Sequence, residues 1–259
     1  MSIDRPLLYV GTSGFYYPDW KGLFYPARLA AREFLPYYTS RFRCLEVNNT
    51  FYRLPVETTL TRWRDITPEG FVFAVKASRF ITHIKWLDEP EATVASFLGR
   101  IRCLGRKLGP VLFQFPSRFP FNGGKLDAFC KVLEKDVRYT FEFRDPDWFR
   151  QETCDILSRH GAAFCIYDFS GTQSPVWVTA DFAYIRFHGP LKTPYRGGYG
   201  EAFLERWAKR IRRWLKDGKC VYVFFDNTME GHAPEDARKL LLLLGKRENH
   251  EVTHEGRES

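Results

Sequence analysis

Eight short apolar runs, rich in β-branched and aromatic residues, recur along the sequence. They are LLYVGTSG (7–14), CLEVNNTFY (44–52), FVFAVKAS (71–78), PVLFQFP (110–116), YTFEFRD (139–145), AFCIYDF (163–169), FAYIRFHG (182–189) and CVYVFFDNT (220–228). Runs of this length and composition read as buried strands. Helical periodicity fills several of the gaps, over 90–108, 125–135, 150–160, 201–217 and 234–245. The last of these, PEDARKLLLLLG, opens on proline and stops at glycine. Strand followed by helix, repeated, implies parallel strands joined by right-handed crossovers. Eight such repeats in about 240 residues match one closed barrel. The expected fold is therefore α/β, a single (β/α)₈ TIM-like barrel over residues 1–245. An open doubly wound sheet is the alternative, but the first strand ends in GTSG and no G-x-G-x-x-G follows it.

Residues 246–259 are polar with no apolar face and are expected to form a disordered tail. They contain HEVTH (250–254), a literal H-E-x-x-H. Without an amphipathic helix to put both histidines on one face, the match is not read as a zinc site. No apolar run approaches the ~18 residues of a membrane span, and MSIDRPLLYV has no signal-peptide core. A cytoplasmic protein with no membrane partner is expected. The six cysteines, Cys44, Cys103, Cys130, Cys154, Cys165 and Cys220, form no C-x-x-C pair. They read as reduced, buried thiols. A net charge of +8 permits an anionic partner, although KRIRRWLK (209–216) reads as the solvated face of a helix.

Strand side chains alternate between faces, so the apolar set on each strand fixes the register against the helices. The opposite set must point into the barrel. That rule puts Glu46, Asn48, Lys76, Gln114, Glu142, Arg144, Arg186, His188 and Asp226 inside, with Tyr167 preferred to Asp168 on the sixth strand. Most lie near the C-terminal ends of their strands, where active sites of this fold are built. Burying so many polar groups is costly unless they pair or meet a ligand. The formal charges, three negative and three positive, also allow a self-satisfied layer.

The motifs GTSGFYYPDWKGLFYP (11–26), EVNNTFYRLP (46–55), FVFAVKASRFITH (71–83), GPVLFQFP (109–116), EFRDPDWF (142–149), YIRFHG (184–189), FLERWA (203–208) and NTMEGHAPEDARKL (227–240) run in order along the chain. Together they resemble the YecE-like family, a group catalogued as a domain of unknown function. The resemblance implies a single TIM-like barrel and no particular reaction. The eighth strand departs from the family pattern: FFDNT puts Asp226 where asparagine is usual.

Chemically, Arg144 and Arg186 suit a bidentate clamp on carboxylate or phosphate. Glu46 or Glu142 suits general acid–base work, with His188 as proton shuttle and Asp226 as an added carboxylate. Lys76 would neutralise developing negative charge; a Schiff-base amine is the sharper reading, an ion-paired lysine the plainer one. Asn48, Gln114, Tyr199 and Asn227 complete the expected ligand-binding set. Gly197, Gly198 and Gly200 would hinge a lid carrying Lys192, Arg196 and Tyr199. The carboxylates and His188 also admit Mg²⁺, Mn²⁺ or Zn²⁺, though no spacing rule supports a metal. The leading expectation is an enzyme acting on a small anionic or phosphorylated ligand at the barrel mouth. A second is nucleic-acid binding or metal-assisted phosphodiester processing, with Tyr16, Tyr17, Trp20, Phe51, Tyr52, Arg53, Trp86 and Trp148 as stacking and cationic groups. A third is a non-catalytic module for a metabolite or protein.

Overall fold

The computed structural model describes residues 8–245. All eight apolar runs are strands. They are β1 (Leu8–Thr12), β2 (Cys44–Val47), β3 (Val72–Lys76), β4 (Leu108–Phe115), β5 (Tyr139–Phe143), β6 (Ala163–Phe169), β7 (Phe182–Phe187) and β8 (Cys220–Phe225). Every neighbouring pair is parallel, in the order β1–β8–β7–β6–β5–β4–β3–β2. Seven α-helices flank them: α1 (Phe34–Thr39), α2 (Glu57–Ile66), α3 (Pro90–Ile101), α4 (Gly123–Lys131), α5 (Gln151–Arg159), α6 (Glu201–Lys216) and α7 (His232–Leu243). The result is a nearly closed TIM-like barrel.

The seam between β1 and β2 is closed mainly by one tyrosine. Above it the strands meet at a Ser13–Glu46 bridge, where Gly14 N–H donates to the Glu46 carbonyl at 2.8 Å. Below it the Tyr38 hydroxyl, from α1, stands between them. It accepts from Thr12 N–H at 2.9 Å and donates to the Cys44 carbonyl at 3.0 Å. Gly11 is required here, because a Cβ would fall 2.4 Å from the Cys44 carbonyl oxygen.

Two connections differ from the expected pattern. The helix expected over 90–108 ends at Ile101, and a 3₁₀ stretch carries the chain to Lys107. Between β6 and β7 there is no helix. Gly171 takes positive φ, residues Thr172–Gln173 fold back antiparallel onto β6, and Pro175 follows in extended chain. Ser174 N–H donates to the Tyr167 carbonyl at 3.0 Å, and Thr179 Oγ1 accepts from Phe164 N–H at 2.8 Å. The segment satisfies β6 directly and leaves too few residues for a helix.

The parity rule holds on every strand. Leu45, Val47, Phe73, Val75, Phe113, Phe141, Ile185, Phe187, Val223 and Phe225 join the layer between sheet and helices. Tyr9, Cys44, Ala74, Leu112, Cys165, Tyr184, Tyr222 and Phe224 fill the lower interior. The aromatic content is mostly core. Phe115 stacks on Phe143 with ring centroids 5.4 Å apart, and Phe143 stacks on Trp148 at 4.1 Å. On α6, Leu204, Trp207, Ala208 and Ile211 are buried at helical spacing, while Lys209, Arg210, Arg212 and Arg213 face solvent. None of the six cysteines is in a disulfide. No helix among the described residues is long and apolar enough to cross a membrane. Residues 246–259, with the HEVTH run, lie outside the described residues.

Candidate active site at the barrel mouth

The interior layer at the strand C-termini is built around Arg186, at the end of β7 and 1% exposed. Its five N–H groups all have protein acceptors. Nε lies 3.1 and 3.0 Å from the two Glu46 oxygens, and Nη2 donates to Glu46 Oε1 at 2.8 Å and Asp226 Oδ2 at 3.0 Å. Nη1 donates to Glu142 Oε2 at 2.9 Å and meets His188 Nε2 at 2.9 Å. Glu46 is equally occupied: Ser13 Oγ donates to Oε1 and the Tyr184 hydroxyl to Oε2, each at 2.6 Å. A guanidinium with no free donor cannot also clamp a ligand, so Arg186 is an organising centre. Glu46, 0% exposed and bonded on both oxygens, is likewise not placed as a general base.

His188 is placed as an acceptor, not as the expected shuttle. Its Nδ1 donates to the Asp168 carbonyl at 3.0 Å, which fixes the tautomer and leaves Nε2 with its lone pair. Arg186 Nη1 and Arg144 Nη2, the latter at 3.1 Å, both point donors at that nitrogen. Burial and then the two guanidinium charges hold the ring well below the ordinary histidine range. Glu142 is 0% exposed and takes Arg144 Nε on one oxygen at 2.5 Å and Arg186 on the other. Burial alone would raise its pKa, but Arg144 and Arg186 outweigh it and keep the carboxylate ionised, well below its usual range.

Three groups of the same layer are not consumed. Arg144 Nη1 is buried and has no hydrogen-bond partner among the described residues. Its guanidinium carbon lies over two aromatic rings, 3.8 Å from the Phe169 centroid and 4.5 Å from that of Tyr167. The second is Asp226, which accepts from Arg186 on Oδ2 while Oδ1 receives no hydrogen bond from a described residue. Burial, reinforced by Glu46 and Glu142 against the pull of Arg186 and Lys76, raises Asp226 from 3.8 to about 7. The third is Lys76, at the end of β3. No carboxylate lies within ion-pairing distance of its Nζ among the described residues, so the plainer sequence reading, an ion-paired lysine, does not hold. The ammonium sits 4.3 Å from the Phe51 ring centroid instead. That contact favours the charged form by about 0.5–2 kcal/mol. Desolvation and the Arg186 charge work against it and bring Lys76 from 10.5 down to about 8. Burial, with Lys76, Arg79 and Arg118 nearby, also depresses His83, to about 4.

Other expected residues take structural places. Tyr199 is 4% exposed; its hydroxyl accepts from Gly189 N–H at 3.0 Å and its own N–H donates to Asp236 at 2.9 Å. Asn227 Nδ2 donates to the Gly197 carbonyl and to Asp236, each at 2.8 Å. These bonds pin the β7–α6 loop, so the expected glycine-hinged lid carrying Lys192 and Arg196 is a tied-down loop. Gln114 Nε2 turns back to the Phe115 carbonyl at 3.0 Å. Asn48 Oδ1 is buried without a partner and lines a small cavity of about 160 Å³ with Phe15, Tyr17 and Trp63. The aromatic set divides: Trp20 and Trp148 are fully buried, each with its indole N–H on a backbone carbonyl, while Tyr16 and Tyr52 are exposed. Among the described residues no three His, Cys, Asp or Glu side chains converge as a metal site. Glu46, Glu142 and His188 already face guanidinium donors, so this donor set does not fit a divalent ion.

The sequence reading missed Ser13, Tyr184 and Tyr195. Tyr184 shares the inward face of Arg186 two residues away, so parity alone could have placed it. Tyr195 could not have been found that way: it adopts φ 69°, and its ring lies 6.1 Å from His188 and 6.3 Å from Phe169. Among the described residues, the six non-glycine residues at positive φ (Trp86, Leu87, Glu89, Ser170, Tyr195 and Glu230) lie in connections that follow a strand, on the mouth side. Backbone strain of this kind gathers at functional sites.

A closed-up parallel barrel with its polar layer at the strand C-termini belongs to the TIM-barrel class. Within that class, residues 9–258 match the family described as "Protein of unknown function DUF72", and the chain belongs to that family. It is 27% identical to the UPF0759 protein YunF of Bacillus subtilis, over 92% of this chain and 95% of that one. A DUF72 family protein of Thermotoga maritima shares 32% identity and superposes with a TM-score of 0.83, over 92% of this chain and 99% of that chain. A DUF72 family protein of Enterococcus faecalis, 20% identical, has the same fold with a TM-score of 0.80, over 92% and 95% of the two chains.

Proposed function

We propose that the protein is an enzyme whose barrel mouth holds a small anionic ligand, a phosphate or carboxylate, beside Lys76 and Arg144, with Asp226 as the proton carrier. The observation that carries this reading is Arg144 Nη1, a buried cationic donor with no acceptor. An unmet donor of this kind is expensive unless something else fills its place. An anion bonded there would also lie in the field of Lys76, which no carboxylate among the described residues pairs at close range. Asp226, poised near neutrality and open on one oxygen, is matched to acid–base work at physiological pH. Arg186, Glu46, Glu142 and His188 position this machinery; their own bonds are complete.

The test is thermal unfolding with inorganic phosphate, small dicarboxylates and short oligonucleotides, for wild type, Arg144→Met and Arg144→Lys. A ligand at a hundred times its Kd adds about 2.7 kcal/mol, which raises the midpoint by roughly 5–10 °C. We expect a shift with a small anion that Met abolishes and Lys partly restores. Equal shifts in wild type and Arg144→Met would remove the reading. A shift seen with oligonucleotides alone, weakening steeply with salt, would replace it by nucleic-acid binding.

A further inference from the structure

We propose that Lys76 is a carbonyl-reactive amine, and that the anionic ligand of this site carries an aldehyde or ketone with which Lys76 forms an imine. This rests on the anion reading above. Four features of the layer point to it. Lys76 stands at the C-terminal end of β3, inside the barrel, where a bound ligand would meet it. Among the described residues its Nζ has no hydrogen bond and no carboxylate within ion-pairing distance, so no ion pair there has to be broken to free the amine. One wall beside it is the Phe51 face, which cannot solvate the nitrogen as water would. The charged groups around it come from β2 (Glu46), β5 (Glu142), β7 (Arg186) and β8 (Asp226), with Arg79 and His83 on the loop that follows β3.

Burial and Arg186 lower the Lys76 pKa to about 8. That makes the neutral amine about three-hundredfold more abundant at neutral pH than for an ordinary lysine. The step balances within the site. The neutral amine attacks the carbonyl carbon, a C–N bond forms, and the oxygen takes a proton from the Asp226 carboxyl. The nitrogen returns a proton to Asp226, the hydroxyl is protonated in turn and leaves as water, and a protonated imine remains. Overall, ammonium plus carbonyl gives iminium plus water, with no oxidant or reductant. The positive imine takes the place of the ammonium, so the charge of the layer is unchanged.

The test is reductive trapping on the whole protein. Dihydroxyacetone phosphate and pyruvate serve as anionic carbonyl probes, uncharged dihydroxyacetone as control, and borohydride reduces any imine to a stable amine. Peptide mapping then locates a mass gain equal to the probe less one oxygen. We expect labelling at Lys76 about tenfold above any other lysine, competed by inorganic phosphate, absent in Lys76→Arg and slowed in Asp226→Asn. Mapping on wild type needs no variant to fold. Labelling spread over surface lysines, on protein that inorganic phosphate still stabilises, overturns the imine and leaves the anion site standing. Selective Lys76 labelling by dihydroxyacetone, as strong as by its phosphate and unaffected by added phosphate, supports the amine and removes the anion site.

Discussion

The polar layer of this barrel has two halves that look alike in sequence and differ in their bonding. On one side Arg186, Glu46, Ser13 and Tyr184 form a closed set in which donors and acceptors are matched. On the other, Lys76 Nζ, Arg144 Nη1 and Asp226 Oδ1 have no hydrogen-bond partner among the described residues. The first half is fully buried and the second partly so, and both put charge into the barrel interior. The closed half recovers the desolvation cost inside the fold. The open half does not, so its charges weaken the resting protein unless a ligand completes them. Burial by itself therefore does not mark a functional group; within this layer it is the bonding that separates the two halves.

The largest expected effect comes from breaking the closed half. Arg186→Met strands Glu46, removes the guanidinium donor from Asp226 and takes from Glu142 one of its two guanidinium partners, Arg144 being the other. It should cost about 3–5 kcal/mol and lower the thermal midpoint by roughly 10 °C or more, as read by urea and thermal unfolding. Tyr184→Phe removes one hydroxyl donor from a buried carboxylate and should cost about 1–3 kcal/mol. Little or no loss in either variant would mean that the closed half is not structural.

A smaller signature lies in the pH dependence of stability, where the two open groups act with opposite sign. Asp226 has a raised pKa in the fold, so its contribution is full below the unfolded value of 3.8 and is lost as pH rises towards about 7. Lys76 has a lowered pKa, so its contribution is full above 10.5 and is lost as pH falls through about 8. Unfolding free energy measured from pH 4 to 10 should therefore dip between about 7 and 8. Asp226→Asn should flatten the acid-side slope and Lys76→Met the alkaline-side slope. If neither variant changes its own limb, these groups are not perturbed as described.

Much of the layer was legible because strand alternation allows only one register once Leu45, Phe141, Ile185 and Val223 must face helices. Glu46, Lys76, Glu142, Arg186 and Asp226 follow from that. Which of them were already spent did not follow, because bonding depends on distances across the barrel. His188 illustrates the limit: its placement was foreseeable, but its tautomer is set by the Asp168 carbonyl, a backbone group with no signature in composition. Tyr199 and Tyr195 were not separable either. They sit four residues apart in one Gly- and Pro-rich loop, and only a positive φ turns Tyr195 towards the layer. The absent helix between β6 and β7 had a cue in Gly171 and Pro175, which the regularity of the other repeats outweighed.

The most direct test of the division into halves is the urea unfolding of Lys76→Met beside wild type at neutral pH. Lys76 makes no ion pair among the described residues, so unchanged stability or a gain of up to about 1 kcal/mol is expected. A loss of several kcal/mol, comparable to that of Arg186→Met, would contradict it and make the whole layer one self-paired structure.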